Sequence, residues 1–307
     1  MIDNSKEFSG VRCRVCGGGG NSHLCQTFNE HSQTRWLENY RCNDCGSVFV
    51  GNQIQDRELA EAYASLDEAA YYAEVADASA KKFSGAAREL AGLAGFSADL
   101  LDIGGGDGAF LRALRAQGFS SLSMHEIPGS KIADTPGLLR RCYRDFDYAT
   151  LPSSAFDVVT LMDVMEHVPD PGATLAAARR VLRPGGVLYL HTPVVTRLDR
   201  VMHAVQKLPA LGAAGRTWQR ARTSIFHLQN YTPRSLSLLM QRHGFEIVRL
   251  DCRNELSWPL ERYVRVYLAE KKGLPKSLIP IVAFLLSPIA RSGMNANKGV
   301  LIARARG

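Results

Sequence analysis

The stretch LLDIGGGDG, residues 100–108, decides the fold of this chain. Apolar residues lead into an acidic one, glycines follow, and an amphipathic helical pattern runs from Ala109 to Gln117. This order predicts a buried strand that breaks into a tight turn at the start of a helix, which is where ligands bind in open α/β sheets. Asp102, at the end of the strand, is placed to hold an ammonium or hydroxyl group of such a ligand.

Taken alone, this turn fits two nucleotide-type cofactors. A G-x-G-x-x-A series that begins at Gly104 satisfies the pattern of dinucleotide-binding proteins, and Glu126 lies at the distance expected for a ribose-binding acid. The D-x-G-x-G-x-G spacing from Asp102 to Gly108 equally resembles the first motif of class I S-adenosylmethionine (SAM) methyltransferases. Motifs elsewhere in the chain are needed to distinguish the two cofactors.

Length and composition are those of an ordinary globular protein. The chain has 307 residues, enough for one large domain and a small one, and its net charge of +7 favours anionic partners. The N-terminus lacks the basic-then-apolar pattern of a signal peptide, which predicts a cytoplasmic location. The longest apolar run, from Leu278 to Ala290, contains two prolines and is too short to span a bilayer.

Four of the seven cysteines form two C-x-x-C-G pairs, which are Cys13 with Cys16 and Cys42 with Cys45. Each pair can present two thiolates from a tight turn, and four thiolates complete a closed tetrahedral zinc site. A closed site predicts a structural role, in which the metal stabilises a module too small for its own core. His23 or Cys25 is an alternative ligand, and residues 48–50 read as a strand leaving the second pair.

Beyond residue 95, strand patterns alternate with helical patterns. The expected strands after the glycine turn are 122–127, 138–143, 156–162, 187–191, 245–250 and 299–305, with helices at 173–182 and 235–243. This alternation predicts a doubly wound, mostly parallel sheet of seven strands. The predicted domains are a zinc module over 1–55, a helical linker over 56–95, and a main domain over 96–307 with insertions at 195–230 and 253–298.

The linker carries a helical pattern of its own. Leu59, Tyr63 and Leu66 share one face, Tyr71-Tyr72 interrupts the pattern, and it resumes from Lys82 to Leu93.

Several motifs after the glycine turn arrive in a specific order. They are FDVV at 156–159, DVMEHV at 163–168, LRPGG at 182–186 and YTPRSL at 231–236. Over residues 97–250 this series resembles SAM-dependent methyltransferases, especially the ubiquinone-type and sugar-modifying branch that acts on small molecules. The cysteine pairs are similar to zinc modules fused to bacterial methyltransferases of polysaccharide and deoxysugar pathways. The resemblance therefore favours SAM over a dinucleotide and implies a Rossmann-like methyltransferase fold.

The resemblance also implies roles for individual residues. The glycines of the turn would wrap the methionine part of SAM, with Asp102 near its ammonium group, and Glu126 would accept hydrogen bonds from the ribose hydroxyls. Asp147 matches the position that contacts the adenine amino group, although Asp145 is close enough to compete. The full set of cofactor-binding positions is Asp102, Gly104, Gly106, Gly108, Glu126, Asp147 and Asp163.

An oxygen or carbon nucleophile must lose a proton before it is methylated, which calls for a general base. His167, which follows the fourth strand of the main domain, is the first candidate, His227 is the second, and Glu166 is placed to orient either one. Alternatively, Asp163, Glu166 and His167 together hold a divalent ion, because mixed carboxylate and imidazole ligation suits one. His191, at the end of the fifth strand, is expected to line the pocket.

Two insertions bear on the acceptor and on partners. Between residues 195 and 224, six basic side chains face a single acidic one, Asp199. The basic residues are Arg197, Arg200, Lys207, Arg216, Arg220 and Arg222. They predict a lid over an anionic acceptor, or a solvated surface. The segment 274–290, flanked by Lys271, Lys272, Lys276 and Arg291, predicts a membrane-surface contact or packing in a core or dimer.

The leading hypothesis is SAM-dependent methylation of a small-molecule or glycan intermediate, with a sugar nucleotide, lipid-linked glycan or secondary metabolite as acceptor. Such a protein would be cytoplasmic or peripheral at the inner membrane face. One alternative is an RNA methyltransferase whose zinc module binds nucleic acid, although DVME occupies the place of the N-P-P-Y type motif. Another is a non-catalytic binding module that kept the fold.

Overall fold

The computed structural model describes residues 11–29, 35–52, 68–128, 137–222, 227–256, 259–265 and 275–306. The strands are β1 (Asn21–Asn29), β2 (Arg35–Cys42), β3 (Val48–Val50), β4 (Leu100–Ile103), β5 (Leu122–Glu126), β6 (Arg141–Arg144), β7 (Phe156–Met162), β8 (Leu182–Pro193), β9 (Gln229–Asn230), β10 (Phe245–Arg253) and β11 (Lys298–Ala305). The helices are α1 (Glu68–Ala94), α2 (Ala109–Gln117), α3 (Pro171–Val181), α4 (Arg197–Val205), α5 (Gly212–Arg222), α6 (Pro233–Arg242), α7 (Leu260–Val264) and α8 (Ile279–Arg291).

A seven-stranded sheet forms the main domain, in the order β10-β11-β8-β7-β4-β5-β6. The pairs from β8 to β6 are all parallel, whereas β11 runs antiparallel to both β8 and β10. The sheet is therefore mixed, with one reversed strand, and the predicted number of seven strands is confirmed. The reversal of β11 brings its first residue, Lys298, to the edge of the sheet where the parallel strands end.

Side chains of the central strands alternate between two hydrophobic clusters, as the period of two in a strand requires. On one side, Val158 and Tyr189 pack in a cluster with residues of α1 and α2, among them Leu90 and Leu114. On the other side, Val159 and Leu188 pack with residues of α3 and α6. Helices thus cover both faces, which explains why β7 and β8 are almost continuously apolar.

Most local boundaries follow the sequence pattern. The strand β7 and the helix α2 occupy the predicted residues, and α2 lies between Gly108 and Gly118, both with left-handed backbone. Three expectations were wrong, and one of them is β6, which begins at Arg141 rather than at residue 138. The helix α1 is continuous through Tyr71-Tyr72, because tyrosine does not break a helix, and β8 begins at Leu182, five residues before the predicted start. Leu59, Tyr63 and Leu66 lie outside the described residues.

A second sheet has the order β1-β2-β3-β9, and Cys42 is the last residue of its strand β2. Its last strand comes from the main domain, since Val48 and Phe49 of β3 pair with Asn230 and Gln229. Phe49, Cys42 and Cys45 also lie in the same hydrophobic cluster as α3 and α6. The N-terminal segment and the main domain therefore share a core.

The two insertions form helical pairs. The helices α4 and α5 pack together and reach β1, where Gln206 Nε2 donates a hydrogen bond to the Leu24 carbonyl oxygen at 2.7 Å. The helices α7 and α8 enclose a small cluster of Val264, Ile279 and Ala283. No helix in the described part of the chain has the length and apolar character needed to cross a membrane.

Candidate functional site

The glycine turn connects β4 to α2 at the edge where the parallel strands end. Gly104 adopts a φ of 72°, and a Cβ added there would lie 2.6 Å from the Val164 side chain. Gly106 has a φ of 54°, and its amide donates to Glu126 Oε2 at 2.9 Å. Side chains would fill this cradle, so its bare backbone is available to a ligand.

Asp102 lies directly beneath the turn and is only 1% exposed. Thr160 Oγ1 donates to Asp102 Oδ1 at 2.6 Å, and the other carboxylate oxygen lies close to Gly105. Burial raises the pKa of Asp102 to about 7, against the opposing effect of the Thr160 hydrogen bond. A carboxyl group that titrates near neutrality would respond to a cationic ligand in the turn by releasing its proton.

Glu126 is fixed at the end of β5, next to the turn. Its two oxygens accept hydrogen bonds from the amides of Gly106 and Ile127, both at 2.9 Å. These bonds orient the carboxylate, and each oxygen retains a lone pair with which to accept from a diol.

The loop after β6 separates the roles of Asp145 and Asp147. Asp145 accepts from His125 Nε2 at 3.0 Å and from the amides of Tyr148 and Thr150. Although burial opposes it, hydrogen bonds from Thr150 and His125 lower the pKa of Asp145 to about 2. Asp145 therefore organises the loop, while Asp147 is exposed and accepts from the Ala149 amide at 3.1 Å.

Glu166, His167 and His227 meet at the end of β7, with one ligand atom from each lying within 4.8 Å of the others. The rings of His167 and His227 are nearly perpendicular, with centroids 4.9 Å apart. Glu166 is 1% exposed, and its Oε2 accepts from Thr192 Oγ1 at 2.9 Å. Its Oε1 has no hydrogen-bond partner among the described residues and lies 3.9 Å from His167 Nε2.

Burying a carboxylate oxygen without a hydrogen-bond partner costs free energy unless the oxygen binds a proton or a cation. Consistent with this, burial raises the pKa of Glu166.

Asp163 does not join this group, which corrects the predicted metal set of Asp163, Glu166 and His167. Lys82 Nζ lies 2.6 Å from Asp163 Oδ2, and Lys298 Nζ lies 2.6 Å from Oδ1. Two ammonium groups satisfy this carboxylate, and His227 takes its place beside Glu166. The cations and His191 outweigh burial and hold the pKa of Asp163 well below its ordinary value.

His191 extends the charged cluster. Its Nδ1 lies 2.9 Å from Asp163 Oδ1, and its Nε2 lies 3.0 Å from Glu255 Oε2. Burial lowers the pKa of His191, but the Asp163 carboxylate outweighs this effect and the net shift is upward. Sequence reasoning placed His191 at the pocket and missed Lys82, Lys298 and Glu255, which no local motif marks.

The four cysteine sulfurs form a compact group in which every Sγ lies within 4.8 Å of the others. Cys13 Sγ is 3.6 Å from Cys45 Sγ, and Cys16 Sγ is 3.4 Å from Cys42 Sγ. A tetrahedral zinc with Zn–S bonds of about 2.3 Å separates its sulfurs by about 3.8 Å. The donor set thus fits zinc, and neither His23 nor Cys25 belongs to the group among the described residues.

Direct hydrogen bonds connect the cysteine pairs to the loops that carry the candidate catalytic residues. Arg14, inside the first pair, donates to the Pro169 carbonyl oxygen at 2.9 Å, two residues beyond His167. The Leu228 amide donates to the Glu166 carbonyl oxygen at 2.7 Å, and the Val50 amide donates to the Leu228 carbonyl oxygen at 2.9 Å. Residues 227–232 therefore lie between β3 of the second sheet and the loop formed by residues 163–170.

Comparison with known families gives a match to a methyltransferase-domain model over residues 63–250, which covers more than half of the chain. The match includes the glycine turn and the Glu166–His167–His227 group, and it leaves the four cysteines outside.

Curated relatives share a shorter region. The ubiquinone biosynthesis O-methyltransferase of Xanthomonas oryzae pv. oryzae is 35% identical over 102 residues, 31% of this chain and 43% of the relative. The protein of the same name from Pseudomonas aeruginosa is 33% identical over 117 residues, 34% of this chain and 47% of the relative. The chain thus spans less than half the length of these relatives.

Solved structures that match part of this chain include a SAM-dependent methyltransferase from Archaeoglobus fulgidus, 15% identical, with a TM-score of 0.47. That match covers 73% of this chain and 94% of the other. A putative methyltransferase from Bacillus halodurans is 16% identical, with a TM-score of 0.46, over 72% of this chain and 99% of the other.

Proposed function

This chain belongs to the family described by the methyltransferase-domain model, and from that premise we propose that it transfers a methyl group from SAM to an oxygen atom of a small-molecule acceptor. One observation carries the proposal. Glu166, a buried carboxylate with one oxygen lacking a hydrogen-bond partner among the described residues, lies with His167 and His227 at the same edge of the sheet as the glycine turn. Family membership favours SAM over a dinucleotide.

The glycine turn, Asp102 and Glu126 form the proposed cofactor site. When bound, SAM supplies a methyl group that its sulfonium has already activated. Glu126, oriented by two amides, accepts hydrogen bonds from the ribose hydroxyls, and Asp102 balances the positive charge of the amino acid part. Asp147 accepts from the adenine amino group, because Asp145 is occupied by its own loop.

His167 is the proposed general base. It accepts the proton of an acceptor hydroxyl, and the Glu166 carboxylate 3.9 Å away stabilises the imidazolium that results. His227, perpendicular to His167, hydrogen-bonds the acceptor and confines it. Asp163 is held by Lys82 and Lys298, so its proposed role is to shape the cofactor pocket rather than to move protons.

The same three side chains also fit a divalent ion. Glu166 Oε1 is buried without a partner among the described residues, and a carboxylate with two imidazoles is a ligand set that suits Zn²⁺, Mn²⁺ or Fe²⁺. An ion held there would replace His167 as the means of acidifying the acceptor hydroxyl.

For the four cysteines we propose a structural zinc. Four thiolates leave no open coordination position, which suits a structural role. The hydrogen bonds of Arg14 and Val50 connect the zinc-binding segment to the loops that carry His167 and His227 and restrict the motion of these loops.

The acceptor we propose is anionic, because exposed cations line the 195–224 insertion. Arg197, Arg200, Lys207 and Arg216 are exposed, whereas Asp199, the sole acidic residue, is buried and bound by Trp218 Nε1 at 2.8 Å. The side chains of Arg220 and Arg222 lie outside the described residues. If the acceptor is anionic, Arg200→Glu combined with Arg216→Glu should raise its KM and leave SAM affinity unchanged.

An RNA acceptor is the alternative. Arg14, inside the first cysteine pair, donates to the Pro169 carbonyl oxygen, and Arg242, at the end of α6, donates to the Val15 carbonyl oxygen, so neither cation is available to RNA, which favours a small molecule. Steeply salt-dependent RNA binding would support the alternative. A non-catalytic binding module would bind SAM without turnover on any acceptor.

The decisive experiment measures SAM binding by calorimetry and the release of S-adenosylhomocysteine with panels of phenols, catechols and sugar nucleotides. His167→Gln should lower kcat by about 10²–10⁴-fold and retain SAM affinity. If a metal is used at this site, a weak chelator that leaves the four-cysteine zinc in place should abolish turnover, and added ion should restore it. If His167 is the base, the same chelator should leave turnover unchanged. Absence of SAM binding by the wild-type protein would refute the proposal.

A further inference from the structure

The helix α8 presents an unusually apolar surface to solvent. Phe284 is 77% exposed, Leu285 65% and Ile281 56%, and Leu286 and Ile289 are exposed as well. These five residues are called the α8 face. Only Ile279 and Ala283 of the helix are buried, against α7. A contiguous exposed apolar surface of this kind marks an interaction site.

The charged residues of the segment that contains α8 all have one sign. Residues 275–297 contain no aspartate or glutamate, and the two basic residues of the segment, Lys276 and Arg291, are exposed near opposite ends of the helix. The chain as a whole carries a net charge of +7. The face is therefore complementary to an apolar surface with anionic borders.

The position of α8 in the fold connects it to the candidate site. Asn254 Nδ2 donates to the carbonyl oxygens of Ala290 and Ser292, which fixes the end of α8 against β10. The next residue, Glu255, binds His191. The C-terminal end of α8 thus lies at the edge of the sheet where the parallel strands end.

We propose that the α8 face docks on an anionic phospholipid bilayer. Thirteen residues are too few to cross the hydrocarbon core, so the helix lies along the surface with Phe284 and Leu285 inserted and with Lys276 and Arg291 at the headgroups. A second copy of the chain fits less well. A symmetric pair of these helices would bring the basic ends near each other, with no carboxylate on the face to offset them.

This docking goes beyond methyl transfer and does not depend on it. It makes the bilayer a partner of the protein and gives an amphipathic acceptor a route to the site from the lipid phase.

Vesicle flotation of the full-length protein tests the proposal. The protein should float with phosphatidylglycerol-containing vesicles and much less with pure phosphatidylcholine. Phe284→Glu combined with Leu285→Glu should lower the partition coefficient by at least about tenfold, because two inserted apolar side chains are lost. Lys276→Glu combined with Arg291→Glu should remove the preference for the anionic lipid.

Phe96→Glu is the matched control, because Phe96 is 52% exposed and lies before β4, at the opposite edge of the sheet. It should float like the wild type, and thermal unfolding of each variant verifies that it is folded. Flotation that is absent in the wild type, or that survives the Phe284 and Leu285 changes, would overturn the proposal. So would a wild-type dimer in light scattering that these changes dissociate, since a second copy would then cover the face.

Discussion

The hydroxyl of Thr232 donates a hydrogen bond to the carbonyl oxygen of Cys45 at 2.7 Å. Thr232 Oγ1 also accepts a hydrogen bond from the Ser235 amide at 3.0 Å and so caps α6. One side chain therefore ties the second cysteine pair to a helix of the main domain, directly after the segment that carries His227. The cysteine module is built into the site region rather than appended to it.

Thr232→Val should lower the free energy of unfolding by about 1–3 kcal/mol, because it removes a helix cap and a partly buried hydrogen bond while keeping the side-chain volume. Urea denaturation measures the change. Ser237→Ala is the control, since the Ser237 hydroxyl bonds Pro233 within the same helix, and the expected loss there is under about 0.5 kcal/mol. Equal losses in the two variants would contradict the role given to Thr232.

Purified protein should contain about one equivalent of zinc, and Cys42→Ser should contain almost none, because three thiolates hold the ion far less tightly. Cys142→Ser, at an exposed cysteine, should leave the metal content unchanged. Elemental analysis provides the count.

Loss of the zinc ion should also increase the mobility of the loops that carry the candidate catalytic residues. In the zinc-free protein we expect faster hydrogen exchange at the Leu228 and Val50 amides, which connect the Glu166 loop to β3. Unchanged exchange at both amides would show that the module does not support the site.

SAM affinity should rise by about tenfold between pH 5.5 and 7. The pKa of Asp102 is about 7 in the free protein, so the group is neutral at the lower pH and must release its proton to balance a cationic ligand. Calorimetry measures both the affinity and the proton release.

Asp102→Asn should remove this pH dependence. Thr160→Val should move it to higher pH, because the Thr160 hydroxyl donates to the ionised carboxylate and favours it. A wild-type affinity that is flat over this range would exclude Asp102 from the cation site.

Asp163→Asn should destabilise the protein by roughly 2–4 kcal/mol, because Lys82 and Lys298 would remain close together without their shared carboxylate. Asn tolerates the positive φ of this position, so the loss reports on charge and not on backbone strain. Adding Lys82→Met to Asp163→Asn should recover part of the loss, as chemical denaturation would measure. No recovery would mean that the two groups act independently.

The fold was largely predictable because its determinants are local. A nearly continuous apolar run located β7, and the glycine turn located the start of α2, since each pattern specifies a backbone conformation within a few residues. The same reasoning failed at α1, where two tyrosines were taken for an interruption. It also failed at β8, which begins at Leu182 although the backbone of Gly185 is left-handed.

For the candidate site, the sequence alone determined the glycine turn, the four cysteines and the Glu166-His167 pair, because each is a compact motif with its own chemistry. Only the tertiary structure brought His227 to that pair. It also placed Lys82 and Lys298 beside Asp163, although they are 81 and 135 residues away from it in the sequence. The order of the strands and the reversal of β11 decide these contacts. Side chains that meet in this way leave no periodic signal, because the contact energy depends on which elements become neighbours.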